Sequence, residues 1–206
     1  METTFGTITL MLYDKTPQNS NNMIKVAGDH GYDSTLFHRI IPEFMIQGGD
    51  PDSKHAKPGQ ALGAGGLNYK VPAEFNEEYF HKKGALAVAR ENTPDKAGSP
   101  TQFYIVVGKK YTEEQLTKME GQSGRKFTAA QREAYKTVGG TPFLDNNYTV
   151  FGEVLTGMDV VEKIVLEPRD ARDRPNNDVR ILSVRVMKPK KKFRAFLERI
   201  HLAKKS

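Results

Sequence analysis

Short apolar runs separated by turn residues recur along most of this chain and predict β-strands. Residues 7–14 alternate between apolar and polar positions, which is typical of a strand with one buried face. Residues 85–89 and 103–107 are apolar throughout, as in strands that are buried on both faces. In residues 179–187, the apolar positions 182, 184 and 186 alternate with polar ones and predict the closing strand. Further strands are predicted over residues 37–41, 44–47 and 149–155.

Two principal helices accompany these strands. Thr16 is suited to the N-cap and Pro17 to the first helical position, and apolar residues then recur at helical spacing up to Gly28. A shorter helix is predicted over residues 158–164. Many short strands with two helices indicate a mainly β protein whose sheet closes into an antiparallel barrel, because closure removes exposed strand edges.

Residues 111–140 predict two short helices of their own. Thr112 with Gln115, and Thr128 with Gln131, have the spacing of capping boxes. Narrow apolar stripes follow each box, at Leu116 and Met119 and at Ala134 and Val138. These helices either pack on the β-domain, which is the favoured interpretation, or form a wall that restricts substrates.

The positive charge of the chain is concentrated in its last residues. Residues 188–206 hold eight Lys or Arg and one acid, a net charge of +7 against +6 for the whole chain, which leaves −1 for residues 1–187. Apolar residues in this tail, from Phe193 to Ile200, recur at helical spacing and predict an amphipathic helix with a basic face. Packing on the domain is the default expectation, and contact with an anionic membrane or nucleic acid is less favoured.

Composition adds little to this picture. With 37% hydrophobic and 27% charged residues the chain is ordinary globular material, and residues 1–187 are expected to form one domain. The absence of cysteine excludes disulfides and a thiol nucleophile and suits a reducing compartment. We therefore expect a cytoplasmic monomer, or a periplasmic one if a leader was removed.

The chemistry of the chain concentrates in residues 37–50, where Arg39 and Gln47 lie among large apolar side chains. Strand periodicity places Met45 and Gln47 on one face, with Phe44 largely on the other. An arginine in such a run needs a partner or solvent, so Arg39 either lines a cleft or has a structural role, in which it caps a sheet end or pairs with a carboxylate. From this stretch alone the two interpretations are equal.

The string F-H-R-I-I-P-x-F-M-x-Q-G-G-D over these residues resembles the signature of the cyclophilins, the peptidyl-prolyl cis/trans isomerases. The resemblance continues over roughly residues 5–187, apart from an insertion at about 109–140. It implies a closed eight-stranded antiparallel β-barrel capped by two helices, with the active face on the outside. The further matches are GALAVAR at 84–90, TQFYI at 101–105, FLD at 143–145 and VFGEV at 150–154.

The implied reaction is rotation about X-Pro bonds in unfolded or flexible chains. A twisted amide nitrogen becomes a hydrogen-bond acceptor, and Arg39 is a permanently charged donor that could stabilise it. The reaction needs no nucleophile, metal or cofactor, and His38 is read as structural. The resemblance makes Arg39, Phe44 and Gln47 catalytic and gives substrate binding to Met45, Ala89, Arg90, Gln102, Tyr104, Phe143, Leu144 and Tyr148.

Four positions depart from the best-known eukaryotic members. Phe143 stands where they have Trp, Tyr148 where they have His, Tyr104 where they have Phe and Arg90 where they have Asn. Phe143, Tyr148 and Arg90 resemble the bacterial branch. Because Phe143 lacks an indole N–H donor, weak cyclosporin binding is expected.

A second function remains open. The chain could be a proline-peptide binding module or chaperone in which isomerisation is incidental. Replacing Arg39 distinguishes the two, because only an isomerase needs that side chain for turnover.

Overall fold

Nine short strands form two antiparallel sheets in the computed structural model, which describes residues 1–187. The basic helix predicted in residues 188–206 lies outside this range. The larger sheet has the order β3-β8-β6-β7-β5-β4, and the smaller one has the order β2-β1-β9. The strands are β1 Glu2–Thr3, β2 Gly6–Thr7, β3 Thr9–Leu12, β4 Phe37–Ile41, β5 Met45–Gly48, β6 Ala85–Val88, β7 Phe103–Val106, β8 Val150–Thr156 and β9 Ile181–Ser183.

The prediction of one closed eight-stranded barrel was wrong, because the strands divide into sheets of six and three. The two sheets meet beside β4, where Leu36 and Arg180 form an isolated bridge. The strands of the small sheet are only two or three residues long, which is too short to continue the ladder of the large sheet. The mainly β character and the antiparallel pairing were predicted correctly.

The prediction that residues 85–89 and 103–107 form strands buried on both faces is confirmed. Every residue of β6 and β7 is buried, and these strands occupy the middle of the large sheet. The prediction for residues 179–187 was wrong in extent and in face, since β9 spans three residues and Leu182 and Val186 are exposed. Of the predicted positions only Val184 is buried, and Val179 and Ile181 are buried as well, because the segment leaves the sheet after Ser183.

Helices α1 Pro17–Gly28 and α4 Met158–Val165 contribute to the main core, as predicted. Thr16 occupies the N-cap of α1, but its hydroxyl does not cap the helix. The carboxylate of Glu74 accepts hydrogen bonds from the Gln18 and Asn19 N–H groups instead, at 3.1 and 3.0 Å. Within residues 1–187, none of the helices is both long and apolar enough to cross a bilayer.

The segment between β7 and β8 contains two further helices, α2 Glu113–Ser123 and α3 Ala129–Thr137. Both predicted capping boxes are confirmed. Gly140 bridges to Lys82 and to Lys109, so the two ends of the insertion are held together. The insertion has its own small core, and Tyr135 rather than the predicted Ala134 and Val138 faces it. This core consists of Leu116, Phe127 and Tyr135, with Phe80, Tyr111 and Met119 packed against it.

Candidate active site

Arg39 reaches the outer face of the large sheet because of a register shift in β4. Phe37 pairs with Gly48 and Arg39 pairs with Gln47. The paired positions are two residues apart on β4 but only one residue apart on β5, so His38 is the extra residue of a β-bulge. Without this bulge, period-2 alternation would put Phe37 and Arg39 on the same face. Phe37 instead belongs to the main core, while Arg39 lies on the outside.

Three strands place polar and aromatic side chains in one row on that outer face. Arg39 lies opposite Gln47, Gln47 opposite Tyr104, and Tyr104 opposite Ala87. Residues directly opposite in an antiparallel sheet share a face, and neighbouring strands are about 4.8 Å apart. The predicted donor and a predicted pocket residue are therefore built into the same rigid sheet.

Arg39 lines an open cleft of about 360 Å³. Its side chain is 43% exposed, and its Nε lies 3.9 Å from a carboxylate oxygen of Asp173. At that distance the ion pair is weak and leaves the N–H groups of the guanidinium available. Arg39 thus both lines a cleft and has a carboxylate neighbour, as the two interpretations of the sequence proposed. The contact with the cleft is the more extensive of the two, because the ion pair with Asp173 is long. The other residues that line the cleft are His38, Gln47, Gln60 to Ala64, Arg172 and Arg174.

The loop that forms the far wall of the cleft is held by two buried polar side chains. The Asp50 carboxylate accepts from the Gly63 N–H at 2.5 Å. The Gln102 amide donates to the Gly63 and Gly65 carbonyls at 3.0 and 2.8 Å. Gly65 is required here, since a Cβ would collide with the Asp50 carboxylate.

Gln47 is oriented by Gln102. Its amide nitrogen donates to the Gln102 side-chain oxygen at 3.0 Å. Gln102 thereby uses its amide oxygen on Gln47 and its amide nitrogen on the loop, so its role here is to position Gln47 and the cleft wall. Direct binding of a peptide by the Gln102 side chain stays a prediction.

The residues predicted to form an apolar pocket lie together beside this cleft. Met45, Tyr104 and Leu144 are buried in one cluster, and Phe44 packs against it. Phe44 was predicted to face away from Met45, which was wrong because it precedes β5 and lies in the turn. Phe143 is 53% exposed and its ring centroid lies 5.7 Å from that of Phe44. The exposed rim and buried floor together make a surface that suits a small apolar ring.

Arg90 and Tyr148 lie together at another side of the pocket. The Arg90 guanidinium carbon is 4.6 Å from the centre of the Tyr148 ring, and Arg90 Nε donates to the Asn147 carbonyl at 2.6 Å. Tyr148 in turn meets Tyr104 edge to face. Ala89 is buried, its N–H donates to the Gln102 carbonyl at 3.0 Å, and its own carbonyl accepts from the Ser99 N–H at 2.8 Å, so only the second lone pair of that carbonyl is left for a peptide.

His38 is buried beside Arg39 and does not act as an acid or base at neutral pH. Burial lowers its pKa to about 4, although the Asp50 carboxylate opposes this shift. The ring is therefore neutral at pH 7. Among residues 1–187, no three His, Asp or Glu side chains are grouped as metal ligands would be.

Sequence reasoning missed the polar residues that support the site. Arg172 and Arg174 lie in the cleft wall, and Asp173 next to Arg39, yet the polar segment around them showed no periodicity that would predict this. The Ile40 N–H donates to the Asp173 carbonyl at 2.9 Å, which brings the segment to the edge of β4. Asp145 was visible as the residue after Phe143 and Leu144, but its buried partners were not.

The site therefore combines a charged donor with an adjacent apolar pocket on one rigid surface. Such an arrangement can hold an apolar ring still while it donates hydrogen bonds to a neighbouring acceptor.

Known proteins share this architecture. Residues 1–186 match the family model described as cyclophilin type peptidyl-prolyl cis-trans isomerase/CLD. A Staphylococcus epidermidis protein named as a candidate peptidyl-prolyl cis-trans isomerase is 36% identical over 90% of this chain and 89% of its own length. A Streptococcus pyogenes candidate bifunctional phosphatase/peptidyl-prolyl cis-trans isomerase is also 36% identical over 90% of this chain, which covers 38% of that longer protein.

A solved structure supports the fold. The cyclophilin type peptidyl-prolyl cis-trans isomerase of Cryptosporidium parvum, crystallised in the presence of the dipeptide Ala-Pro, superposes with a TM-score of 0.64 at 21% identity. The match covers 91% of this chain and 97% of that one. At this identity the similarity shows a shared fold.

Proposed function

This chain belongs to the cyclophilin-type peptidyl-prolyl cis-trans isomerases, and from that membership we propose that Arg39 is the group that stabilises the twisted X-Pro bond. Rotation breaks amide conjugation, and without a catalyst it takes tens to hundreds of seconds. Reaching about a millisecond requires roughly four decades of acceleration, or ~5.5 kcal/mol of preference for the transition state.

A donor near the proline nitrogen provides that preference. In the planar amide the nitrogen lone pair is delocalised, whereas in the twisted state it can accept a hydrogen bond. A donor aimed at it therefore stabilises the transition state more than either planar isomer. The Arg39 guanidinium suits this role, because it keeps its charge at every working pH and carries several N–H groups in a fixed fork.

The apolar pocket would hold the proline ring while the preceding residue rotates. Met45, Leu144 and Phe44 offer apolar surface, and Tyr104 closes the floor. Because β5 and β7 are hydrogen bonded to each other, these contacts keep a constant distance from Gln47 and Arg39. Holding one side of the bond in place converts binding energy into orientation.

The substrates we propose are proline-containing peptides in extended conformation, within unfolded or flexible proteins. The Cryptosporidium relative was crystallised with Ala-Pro, which is consistent with this class of ligand. In this chain, the Gln47 side chain would bind the peptide backbone, together with the second lone pair of the Ala89 carbonyl, whose other lone pair accepts from the Ser99 N–H.

The observation that carries the proposal is the half-exposed Arg39 guanidinium, which lies beside the apolar pocket with a carboxylate only at 3.9 Å. A fully paired arginine would have no N–H group left for a substrate. An arginine pointing away from the cleft would not reach one.

The decisive experiment compares Arg39→Ala with the wild type in a steady-state assay on an Ala-Pro tetrapeptide. We expect kcat/KM to fall by about 10²- to 10³-fold, as when one transition-state donor is removed, while peptide affinity is retained. Arg185→Ala is the matched control, since Arg185 is similarly exposed but pairs with Asp33 at the surface. Unchanged turnover in Arg39→Ala would exclude the proposed role of Arg39, whereas a variant that loses turnover and still supports the protein's role in cells would favour a proline-peptide binding module.

A further inference from the structure

A buried chain of hydrogen bonds links the helical insertion to the proline pocket. Asp145 Oδ2 accepts from the Tyr135 hydroxyl at 2.6 Å and lies 3.2 Å from the Arg125 guanidinium. Asp145 Oδ1 accepts from His81 Nδ1 at 2.8 Å, and His81 Nε2 lies 2.9 Å from the Tyr104 hydroxyl. Two of these residues, Arg125 and Tyr135, belong to the insertion, and Tyr104 belongs to the pocket.

Part of the compensation of the Asp145 carboxylate comes from the insertion. Its side chain is 2% exposed, and a buried carboxylate needs donors and a nearby cation. Burial would raise the pKa of Asp145, but hydrogen bonds from His81 and Tyr135 hold it below the usual value. Arg125 is the cation within reach, and it also lies over the Phe127 ring at 5.4 Å. His81 supplies the larger part of this compensation, and the insertion adds the Tyr135 hydroxyl and the Arg125 guanidinium, both in contact with Asp145 Oδ2.

Asp145 in turn determines the orientation of His81. Because a carboxylate can only accept, the Nδ1 atom of His81 must carry the proton it donates. His81 Nε2 lies 2.9 Å from the Tyr104 hydroxyl, within hydrogen-bond distance. Burial raises the pKa of Tyr104 well above its usual value, so the hydroxyl keeps its proton. The hydrogen bonds therefore run without a break from Asp145 through His81 to Tyr104.

Two members of this chain of hydrogen bonds, Asp145 and Tyr104, adjoin the surface that would hold the proline ring. Asp145 directly follows Leu144, whose short 3₁₀ helix Pro142–Leu144 also carries Phe143. Tyr104 packs with Leu144 and Met45 in the same cluster. A shift of Asp145 would thus move two walls of the pocket, one through the backbone and the other through His81.

We propose that Arg125 and Tyr135 are positioning residues of the isomerase, which set the shape of the proline pocket through Asp145, His81 and Tyr104. This inference rests on the proposed function of the pocket. It gives the insertion a role in the binding of substrate, beyond packing on the domain. The expected consequence is that disturbing these contacts weakens the binding of the proline ring more than it slows the rotation step.

The test is Tyr135→Phe, which removes one hydroxyl and keeps the ring. With an Ala-Pro tetrapeptide as substrate, we expect kcat/KM to fall by about tenfold, mainly through a higher KM, as a small misplacement of a binding group does. Arg125→Ala should act in the same direction, and Arg125→Lys should restore most of the loss because it keeps the charge. A wild-type KM in both Tyr135→Phe and Arg125→Ala would overturn the proposal.

A matched control separates positioning from general stability. Arg132 pairs with Glu120 at 2.7 Å and with Glu113, and so joins α2 to α3 through carboxylates other than Asp145. Arg132→Ala should lower the melting temperature yet leave KM within about twofold of the wild type, since it shares no partner with the pocket. An equal rise of KM in Arg132→Ala would mean that any loosening of the insertion suffices, and would count against the proposed chain of contacts.

A double-mutant cycle tests the route. If Tyr135 acts through Tyr104, the Tyr104→Phe, Tyr135→Phe double variant should lose little more than Tyr104→Phe alone. Fully additive losses would overturn that route. If the wild type and Arg39→Ala have the same turnover, the proposed function of Arg39 fails. If Arg39→Ala loses turnover but Tyr135→Phe has the KM and kcat of the wild type, only the inference about the insertion fails.

Discussion

The two faces of the six-stranded sheet are built from the same strands but follow different rules. The inner face consists of large apolar residues that are fully buried, such as Ile46, Leu86 and Ile105. The outer face carries Met45, Tyr104 and small alanines, and at its edge the polar pair Arg39 and Gln47. Strand alternation places a core residue next to a site residue at almost every step.

The difference shows how one sheet can separate stability from activity. The inner face needs only apolar volume, which closely packed side chains provide without partners of a particular kind. The outer face needs polar partners, and these come from distant segments such as the Gln102 side chain and the Asp145 network. A change on one face should therefore affect a different measurement from a change on the other.

Leu86→Ala is expected to produce the largest loss of stability. Leu86 is completely buried on the inner face, so truncation should reduce the free energy of unfolding by about 2–5 kcal/mol. Arg39→Ala, on the outer face, should change it by less than about 0.5 kcal/mol, because the site is half-exposed and its ion pair is weak. Urea denaturation of both variants measures the contrast.

For catalytic activity we expect the opposite order, with the larger loss in Arg39→Ala and the smaller loss in Leu86→Ala. Leu86→Ala, assayed where it is fully folded, should retain the kcat/KM of the wild type, while Arg39→Ala should not. A large loss of turnover in folded Leu86→Ala would show that the two faces are coupled through the sheet.

His38 sharpens the comparison, because it is a polar residue of the cleft that is nonetheless buried. Its folded pKa of about 4 lies below the ordinary value of 6.5, so the unfolded chain takes up the proton first as the pH falls. The contribution to stability is full above pH 6.5 and is lost between 6.5 and 4. By linkage the loss amounts to about 3 kcal/mol.

The measurement is urea denaturation of the wild type and His38→Leu at several pH values between 7.5 and 4.2. The wild type should lose more stability than the variant over this interval, and the difference between the two removes the effect of other groups. Asp33, whose pKa Arg185 holds low, loses its contribution only below its ordinary value of 3.8 and so does not interfere. Parallel curves for the two proteins would contradict the assignment.

The smallest expected effect concerns the rim of the pocket. Phe143 is exposed beside Phe44 and has no donor for a ligand, so the wild type should bind cyclosporin weakly. Phe143→Trp adds one N–H group, and a single hydrogen bond of about 1 kcal/mol corresponds to roughly fivefold tighter binding. Calorimetric titration of both proteins checks this, with an unchanged melting temperature as the control that Phe143→Trp is folded like the wild type. Wild-type binding as tight as that of the variant would count against it.

Much of the fold was predictable from local patterns. The bounds of α1, the burial of β6 and β7, and the two capping boxes of the insertion were all predicted correctly, because each depends on neighbouring residues along the chain. The closed barrel and the buried face of the last strand were predicted wrongly. Both depend on pairing between the ends of the chain, which local alternation does not determine.

The sequence alone determined the family of this protein, because the signature that contains Arg39 and Gln47 is long enough to identify it. Only the tertiary structure decided the orientation and the hydrogen-bond partners of these side chains. The bulge at His38 turns Arg39 outward, Gln102 holds Gln47 and the loop, and the insertion compensates Asp145 beneath the pocket. These partners are far apart along the chain, and only the packing of the folded protein brings a buried charge or an orphan donor to the group that satisfies it.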